Sequence, residues 1–395
     1  MAESSRAAEW SFEPSVGLRT EYNTNVQLTP DPHPAAWGMI LTPDVKFSGA
    51  TEALTVTGGL NLGFTRYLHQ PQFNIDSYDL SLRSSYKTER DVLNFDLDAI
   101  RDATVVSELA TTGVVLAYSP RNQFTVTPSW SRALTEATSI NASYGYTNVN
   151  YHATSGTSPI GYQEQVASVG MQTKLDEGKV LNLAAYYDRY ETPPPQTLEN
   201  TFGVHGGYDH AFSETLHGTL LVGWRWTQST LSSQTSICDG PIINGICSGM
   251  IIETTTVQKQ NNSGLTLNAN LEKQSETDTV RGEISQEIYP SGAGSLVQTQ
   301  RVAVKWNKQW SPMLSSNIDG AAYRIQYIGG AVTSSSNSRY YSFNSSLSWR
   351  FRESLKLDVG YTYSRNKYDS APVAANANVL YLMLSYAWPK LSVSR

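Results

Sequence analysis

Three small groups of residues could do chemistry in this chain. His205, Asp209 and His217 fall on the inward faces of two neighbouring extended segments, where an imidazole and a carboxylate could exchange protons. Two or three solvated polar residues are the better reading, because no HExxH and no metal-ligand spacing accompanies the six His. The stretch "IYPSGAGSLVQ" from Ile288 is Gly-rich, as phosphate-cradling loops are, but it lacks the Lys and the following helix, so it reads as an external hairpin loop. Cys238 and Cys247 flank a Gly/Pro/Asn turn in "SICDGPIINGICSG". A disulfide is the better reading, and it implies an oxidising compartment. Two free thiols remain open, whereas two Cys without further Cys or His cannot fill a zinc shell. No GxSxG, P-loop or dinucleotide-binding motif occurs in a strand–helix context, so no enzyme activity and no cofactor is expected.

A fourth set is larger and charged: Arg19, Glu21, Asp79, Arg83, Asp96, Asp98, Arg225, Arg281, Glu283, Arg301, Lys305, Asp319, Arg350, Lys356 and Asp358. Each sits in a period-two pattern opposite apolar residues, and a period of two is that of a strand. In "SFNSSLSWRFRESLKLDVGYTYSRN", Phe343, Leu347, Trp349 and Phe351 share one parity, and Leu355, Leu357, Val359, Tyr361 and Tyr363 resume it after the polar "RES". The same alternation runs through Trp10–Tyr22, Leu54–Phe64, Tyr78–Tyr86, Leu216–Trp226 and Leu380–Trp388. These arms are about a dozen residues long, against roughly 5 to 6 in ordinary globular strands. Their apolar faces end in aromatics. Tilted strands of about 9 to 11 residues or more, flanked by aromatic girdles, are what a bilayer demands.

Composition agrees. Only 16% of the 395 residues are charged, well below the usual quarter of a soluble domain. There are 23 Tyr and 9 Trp, the mean hydropathy is −0.35, and no run of about 18 apolar residues could form a membrane helix. A lipid-facing outside and a wet inside fit these numbers. No Lys/Arg cluster points to nucleic acid. "MAESSRAAEW" lacks a basic start and apolar core; residues 1–8 read as a flexible, mature N-terminus behind an added Met.

Short polar turns ("KTERD", "LTEAT", "LDEGK", "FSETL", "QSETD", "FRESL") alternate with long Gly/Pro/Ser/Asn-rich loops, among them a Cys-bearing loop over residues 228–254. This sorting marks an outer-membrane barrel with periplasmic turns and external loops. One interval conflicts: between "KTERD" and "LTEAT" the alternation allows three strands, and single-chain bacterial barrels have even numbers. Residues 102–122 are therefore expected to be a loop that folds into the lumen, with Glu108 and Arg121 meeting wall charges such as Arg83 or Asp98. That leaves one domain over residues 1–395: an all-β, closed antiparallel transmembrane barrel of about 18 strands. The inward charges would line its lumen, either along a solute path or in cross-strand salt bridges. Inward aromatics are few (Tyr186, Tyr323, Tyr340, Tyr381), against a sugar-stacking slide.

The N-terminal "RTEYNTNVQL", the aromatic hairpins with "SET/TER/RES" turns and the last strand ending at Trp388 resemble a β-barrel porin family often encoded at exopolysaccharide loci. The resemblance spans the whole chain, with "EYNTN" its most distinctive motif. It implies an outer-membrane pore embedded in lipid that passes polar solutes or an exported polysaccharide, with a periplasmic export component as a partner. Members usually end on an aromatic residue; here "PKLSVSR" follows Trp388, so Tyr386 and Trp388 would serve in assembly. A structural or sheath barrel around a partner protein is the alternative function.

Overall fold

In the computed structural model the described residues are 9–114, 116–152, 159–193, 197–239, 242–243, 246–248, 250–328 and 337–394. The first wall strands are β1 (Glu9–Asn23), β2 (Ala36–Ala50), β3 (Leu54–Tyr67), β4 (Ile75–Lys87), β5 (Asp91–Ala103) and β6 (Pro120–Ala133). They are followed by β7 (Thr138–Tyr151), β8 (Tyr162–Asp176), β9 (Lys179–Glu191), β10 (Thr197–Ser213) and β11 (Leu216–Cys238). A two-residue ladder, β12 (Ile242–Ile243) with β13 (Ile246–Cys247), decorates the loop after β11. The wall resumes with β14 (Ile251–Gln274), β15 (Asp278–Tyr289), β16 (Leu296–Ser311) and β17 (Leu314–Ile328). It ends with β18 (Ser338–Arg352), β19 (Leu355–Tyr368) and β20 (Ala375–Ala387).

Every neighbouring pair is antiparallel, and β1 pairs with both β2 and β20, so the sheet closes without an edge. The wall has eighteen strands. Closure matters because an unpaired backbone N–H or C=O in hydrocarbon costs several kcal/mol. The last strand departs from a plain end: after Pro389 interrupts the ladder, β21 (Leu391–Ser394) continues along the same line and pairs Glu9–Phe12 of β1.

Pairing registers carry the alternation around the circumference. Leu18 faces Leu41 and Leu384, while Arg19 faces Ile40 and Met383. The apolar parity is the outer one: Leu220, Val222, Trp224, Leu347, Leu382 and Leu384 are all exposed. Near the short-turn end the outer face carries Trp10, Phe12, Tyr86, Trp310, Trp349, Phe351, Tyr386 and Trp388, an aromatic belt suited to one bilayer interface. A concavity of about 960 Å³ lies on this outer face among Val169, Met171, Leu183, Val204 and Trp224, apolar surface suited to contact with lipid tails. Placing a charge here is costly: Leu382→Arg, near mid-wall, should lower unfolding stability by about 2 to 4 kcal/mol. Urea titration of the reconstituted barrel reads that difference.

Short turns join the strands at one end, such as residues 214–215 and 353–354, and long connections at the other. The β5–β6 connection spans residues 104–119, shorter at both ends than the 102–122 expected from alternation, and it contains the helix α1 (Thr104–Thr112).

Candidate functional site

The helix α1 is built from local signals. Thr104 closes its base, donating from Oγ1 to the Ala117 carbonyl at 2.8 Å and accepting from the Ser119 N–H at 3.2 Å. It stops at Gly113, whose φ of 73° is the left-handed cap geometry that favours glycine. A Cβ at Gly113 would meet Ile325 Cδ1 at 2.9 Å, so that close approach also requires glycine.

Ile325 belongs to the far wall. It sits on β17, and Thr299 on β16; counting around the circumference these are the tenth and ninth strands after β5, so the far end of α1 meets the side of the wall opposite β5. Two hydrogen bonds pin its far end: Thr299 Oγ1 donates to the Thr112 carbonyl at 3.0 Å, and Tyr323 Oη donates to the Ala110 carbonyl at 3.2 Å. Leu109 and Val114 pack with Leu28, Val297, Tyr323, Ile325 and Tyr340 in a buried apolar cluster. A helix this short is marginal alone and takes its stability from such packing.

Glu108 fastens the middle and is buried. Its carboxylate accepts from Tyr151 Oη at 2.5 Å and from the Gly292 N–H at 2.6 Å, with Arg121 Nε at 3.8 Å. Arg121 donates to Ser107 Oγ at 2.6 Å, is joined to Gln123, and lies 3.8 Å from Asp102. The expected contacts of Glu108 and Arg121 with Arg83 or Asp98 do not form. Arg83 is held by Asp98 at 2.7 and 2.8 Å and by Asp96 at 3.4 Å on its own stretch of wall. Glu108 on the strap and Arg121 at the start of β6 pair with each other instead.

Gly292 brings a second connection inward. The turn between β15 and β16, part of the Gly-rich stretch, is seated by Tyr190 Oη donating to the Ser291 carbonyl at 3.0 Å. The Leu296 N–H donates to Glu199 at 3.1 Å, and the Ile160 N–H donates to the Gly292 carbonyl at 2.7 Å. A Cβ on Gly292 would meet Tyr151 Oη at 2.5 Å. Tyr151, Tyr190, Glu199 and Gly292 were not singled out from the sequence. The one local signal was the run of small residues in "PSGAGS", which permits close backbone approach.

Chambers remain inside the wall beside the straps. One, about 380 Å³, is lined by Arg19, Glu21, Tyr67, Ile75, Leu109 and Tyr118. Another, about 350 Å³, lies against β8–β11, β14 and β15 and is lined by Glu164, Tyr186, Asp188, His205, Glu287 and Tyr289.

The remaining charges share the inward parity by register. Arg19 pairs Glu21 at 2.6 Å with its guanidinium 4.0 Å over the Tyr381 ring, and Tyr67 Oη donates to Glu21 at 2.8 Å. Asp79 faces Asn61 on β3. Arg301 pairs Glu283 and donates to Tyr323 Oη at 3.1 Å. Lys356 and Asp358 pair at 3.0 Å, and Asp319 accepts from Asn344 at 2.9 Å. Arg281 and Lys305 face each other across the β15–β16 ladder, and Arg350 is exposed near a turn. Arg225 is 1% exposed, donating to Thr227, Asn262 and Gln298.

The proton-transfer group does not assemble. Asp209 accepts from Asn182 at 2.5 Å and Thr219 at 2.7 Å, while His205 packs beside Tyr186 with ring centroids 6.0 Å apart. Among the described residues no three His, Cys, Asp or Glu side chains are placed to hold a metal ion. Cys238 ends β11 opposite Ile251, and Cys247 pairs Ile242; the Cys247 side chain and residues 1–8 lie outside the described residues.

No family model and no curated protein matches the sequence. Solved structures similar to this chain include the outer membrane protein OpdK of Pseudomonas aeruginosa, with 10% identity, TM-score 0.48, and coverage of 97% of this chain and 99% of that one. OccAB3 of Acinetobacter baumannii has 13% identity, TM-score 0.45 and coverage of 96% and 99%. The ferric-catecholate import receptor Fiu of E. coli K12 has 9% identity, TM-score 0.49 and coverage of 95% and 81%. The assignment rests on the chain's own ladder: a closed even-stranded wall, an apolar outer face with an aromatic belt, and a polar, charged interior. In fold, the chain is an eighteen-stranded, closed antiparallel β-barrel with the lipid-facing wall of an integral outer-membrane protein.

Proposed function

We propose that the barrel is a constricted pore for small polar solutes. The observation that carries this reading is the strap: α1 lies inside a charged, water-compatible lumen, anchored to β16 and β17, and the lumen holds chambers of about 380 and 350 Å³. Those sizes suit single small molecules. A strap fastened inside the lumen argues against the wide, unobstructed bore that an extended polysaccharide or an enclosed folded partner needs. With no polymer to pass, a periplasmic export component is not required. The charges Arg19, Glu21, Arg83, Asp96, Asp98, Glu283 and Arg301 form the polar wall that keeps the path wet.

Planar-bilayer recording of the purified protein, with swelling of reconstituted liposomes, tests the reading. Expected are discrete ionic conductance and swelling with monosaccharides and amino acids, but none with dextran. Absence of conductance favours the sheath, and swelling with dextran favours polymer export.

We also propose that Cys238 and Cys247 are bridged in the external loop. Cys238 is the last residue of β11 and Cys247 the last of β13 in the connection that follows, so the bridge would act on the loop and add at most about 3 kcal/mol of local stability. Maleimide labelling of the unreduced, unfolded protein should find no thiol; two labelled thiols exclude the bridge.

A further inference from the structure

The chamber against β8–β11, β14 and β15 gathers three carboxyl side chains, Glu164, Asp188 and Glu287, with no Lys or Arg on its lining. Glu164 and Asp188 lie on adjacent strands in diagonal register, since Glu164 faces Tyr190 and Val166 faces Asp188. Diagonal neighbours across a ladder are on the order of 7 to 8 Å apart, close enough for one cation to touch both carboxylates. Glu287 enters from the other side of the chamber, on β15, oriented by Tyr289 Oη donating at 2.6 Å and Asn268 Nδ2 donating at 3.3 Å.

Asp188 is the telling residue. It is only 7% exposed, it lines the chamber, and its Oδ1 has no hydrogen-bond partner among the described residues. A buried carboxylate oxygen left without a donor costs more than almost any other buried polar atom, so a charged donor supplied from outside would satisfy a real demand. The cations nearby are already engaged: Arg121 with Glu108 and Asp102, and Arg225 with Thr227, Asn262 and Gln298. The remaining walls combine aromatic side chains with the aliphatic Val166, Leu221, Leu267 and Ile288. Tyr186 lies flat over Gly203, where a Cβ would come within 2.2 Å of the ring, so glycine there gives the ring its seat. His205 and Tyr289 add two further rings to the lining.

We infer that this chamber is a binding site for small organic cations: ammonium or guanidinium solutes with a short apolar stem, the charged head between Glu164 and Asp188 and the stem against Tyr186. A second amino group on the stem would reach toward Glu287. The inference deepens the pore reading and rests on it only for the route by which the ligand enters. The other chamber, where Arg19 and Glu21 neutralise each other, has no such preference.

Binding and conduction are measured separately, so the two readings fail separately. Isothermal titration of the detergent-solubilised full chain with putrescine, arginine and glutamate reads the site directly. Putrescine and arginine should bind the wild type and glutamate should not. Asp188→Asn and Glu164→Gln should each weaken putrescine at least about tenfold, the scale of one charged hydrogen bond. Asp76→Asn, a change at a carboxylate on the outer face paired with Arg66, should leave binding as it is. Circular dichroism establishes that each variant is still a barrel. Glutamate binding as well as putrescine, or putrescine binding untouched by both chamber substitutions, overturns the inference. Putrescine binding without conductance would sink the pore reading alone; conductance without putrescine binding would sink this one alone.

Discussion

Excising residues 104–119 and joining Ala103 to Pro120 through an Asn-Gly turn should give a barrel that assembles and conducts several-fold more current than the wild type. The wall supports the first half of this expectation. Ala103 and Pro120 are directly opposed in the β5–β6 register, and thirteen consecutive pairs, from Asp91↔Arg132 to Ala103↔Pro120, remain after the excision. A two-residue Asn-Gly turn closes such a pair with the twist the strands already have. The cost falls inside the lumen, where Val297, Ile325 and Tyr340 lose the cover of Leu109 and Val114. At about 25 cal/mol per Å² of newly wetted apolar surface, that loss is local and small beside eighteen intact ladders. The second half follows from geometry, because α1 lies inside the lumen, anchored to β16 and β17 by Thr299 and Tyr323, and its removal clears that volume from the bore. Single-channel recording and urea unfolding of the same preparation separate the outcomes. Unchanged conductance places α1 outside the permeation path, and failure to assemble makes it part of the wall.

The barrel was readable in the sequence because each strand repeats one instruction. Alternation over a dozen residues sets the face, and "TER", "SET" and "RES" set the turns; neither needs information from elsewhere in the chain. The even-number rule then removed the third apparent strand between Lys87 and Leu134, and the structure has α1 at that place. Val105, Val106 and Leu109 had looked like a strand because a short apolar run fits either period. The helical stop at Gly113 was the overlooked signal. The partners of Glu108 were not readable at all. Gly292 lies 184 residues away and Tyr151 lies 43 away, and no periodicity links them. Arg83 was a plausible partner by charge alone, but Asp98 faces the same strand pair and reaches it first. Contacts across a lumen depend on which strands stand opposite, and that is fixed only once all eighteen have closed.

Glu108→Ala should unlatch the strap without removing it. The wild-type carboxylate satisfies two buried donors, the Tyr151 hydroxyl and the Gly292 N–H, and counters the Arg121 charge. Each hydrogen bond to a charged group contributes about 1.5 to 3 kcal/mol, and an orphaned buried partner adds to the loss. A latch weakened by roughly 3 kcal/mol raises the population of the open strap about a hundredfold. The expected record is therefore not a steady increase but flicker between the wild-type level and the level of the 104–119 deletion. Glu108→Gln is the sharper variant, because it keeps the volume and one acceptor while turning an NH₂ toward a donor; it should flicker less than Ala and more than wild type. Arg121→Ala removes the countercharge alone, and Glu108→Ala/Arg121→Ala should cost less than the two singles added, since residues sharing one network are not additive. Thr299→Val probes the far anchor independently, by deleting the donor to the Thr112 carbonyl. If Glu108→Ala records a steady wild-type level, the two connections are held by apolar packing alone, and the latch assigned to Glu108 is wrong.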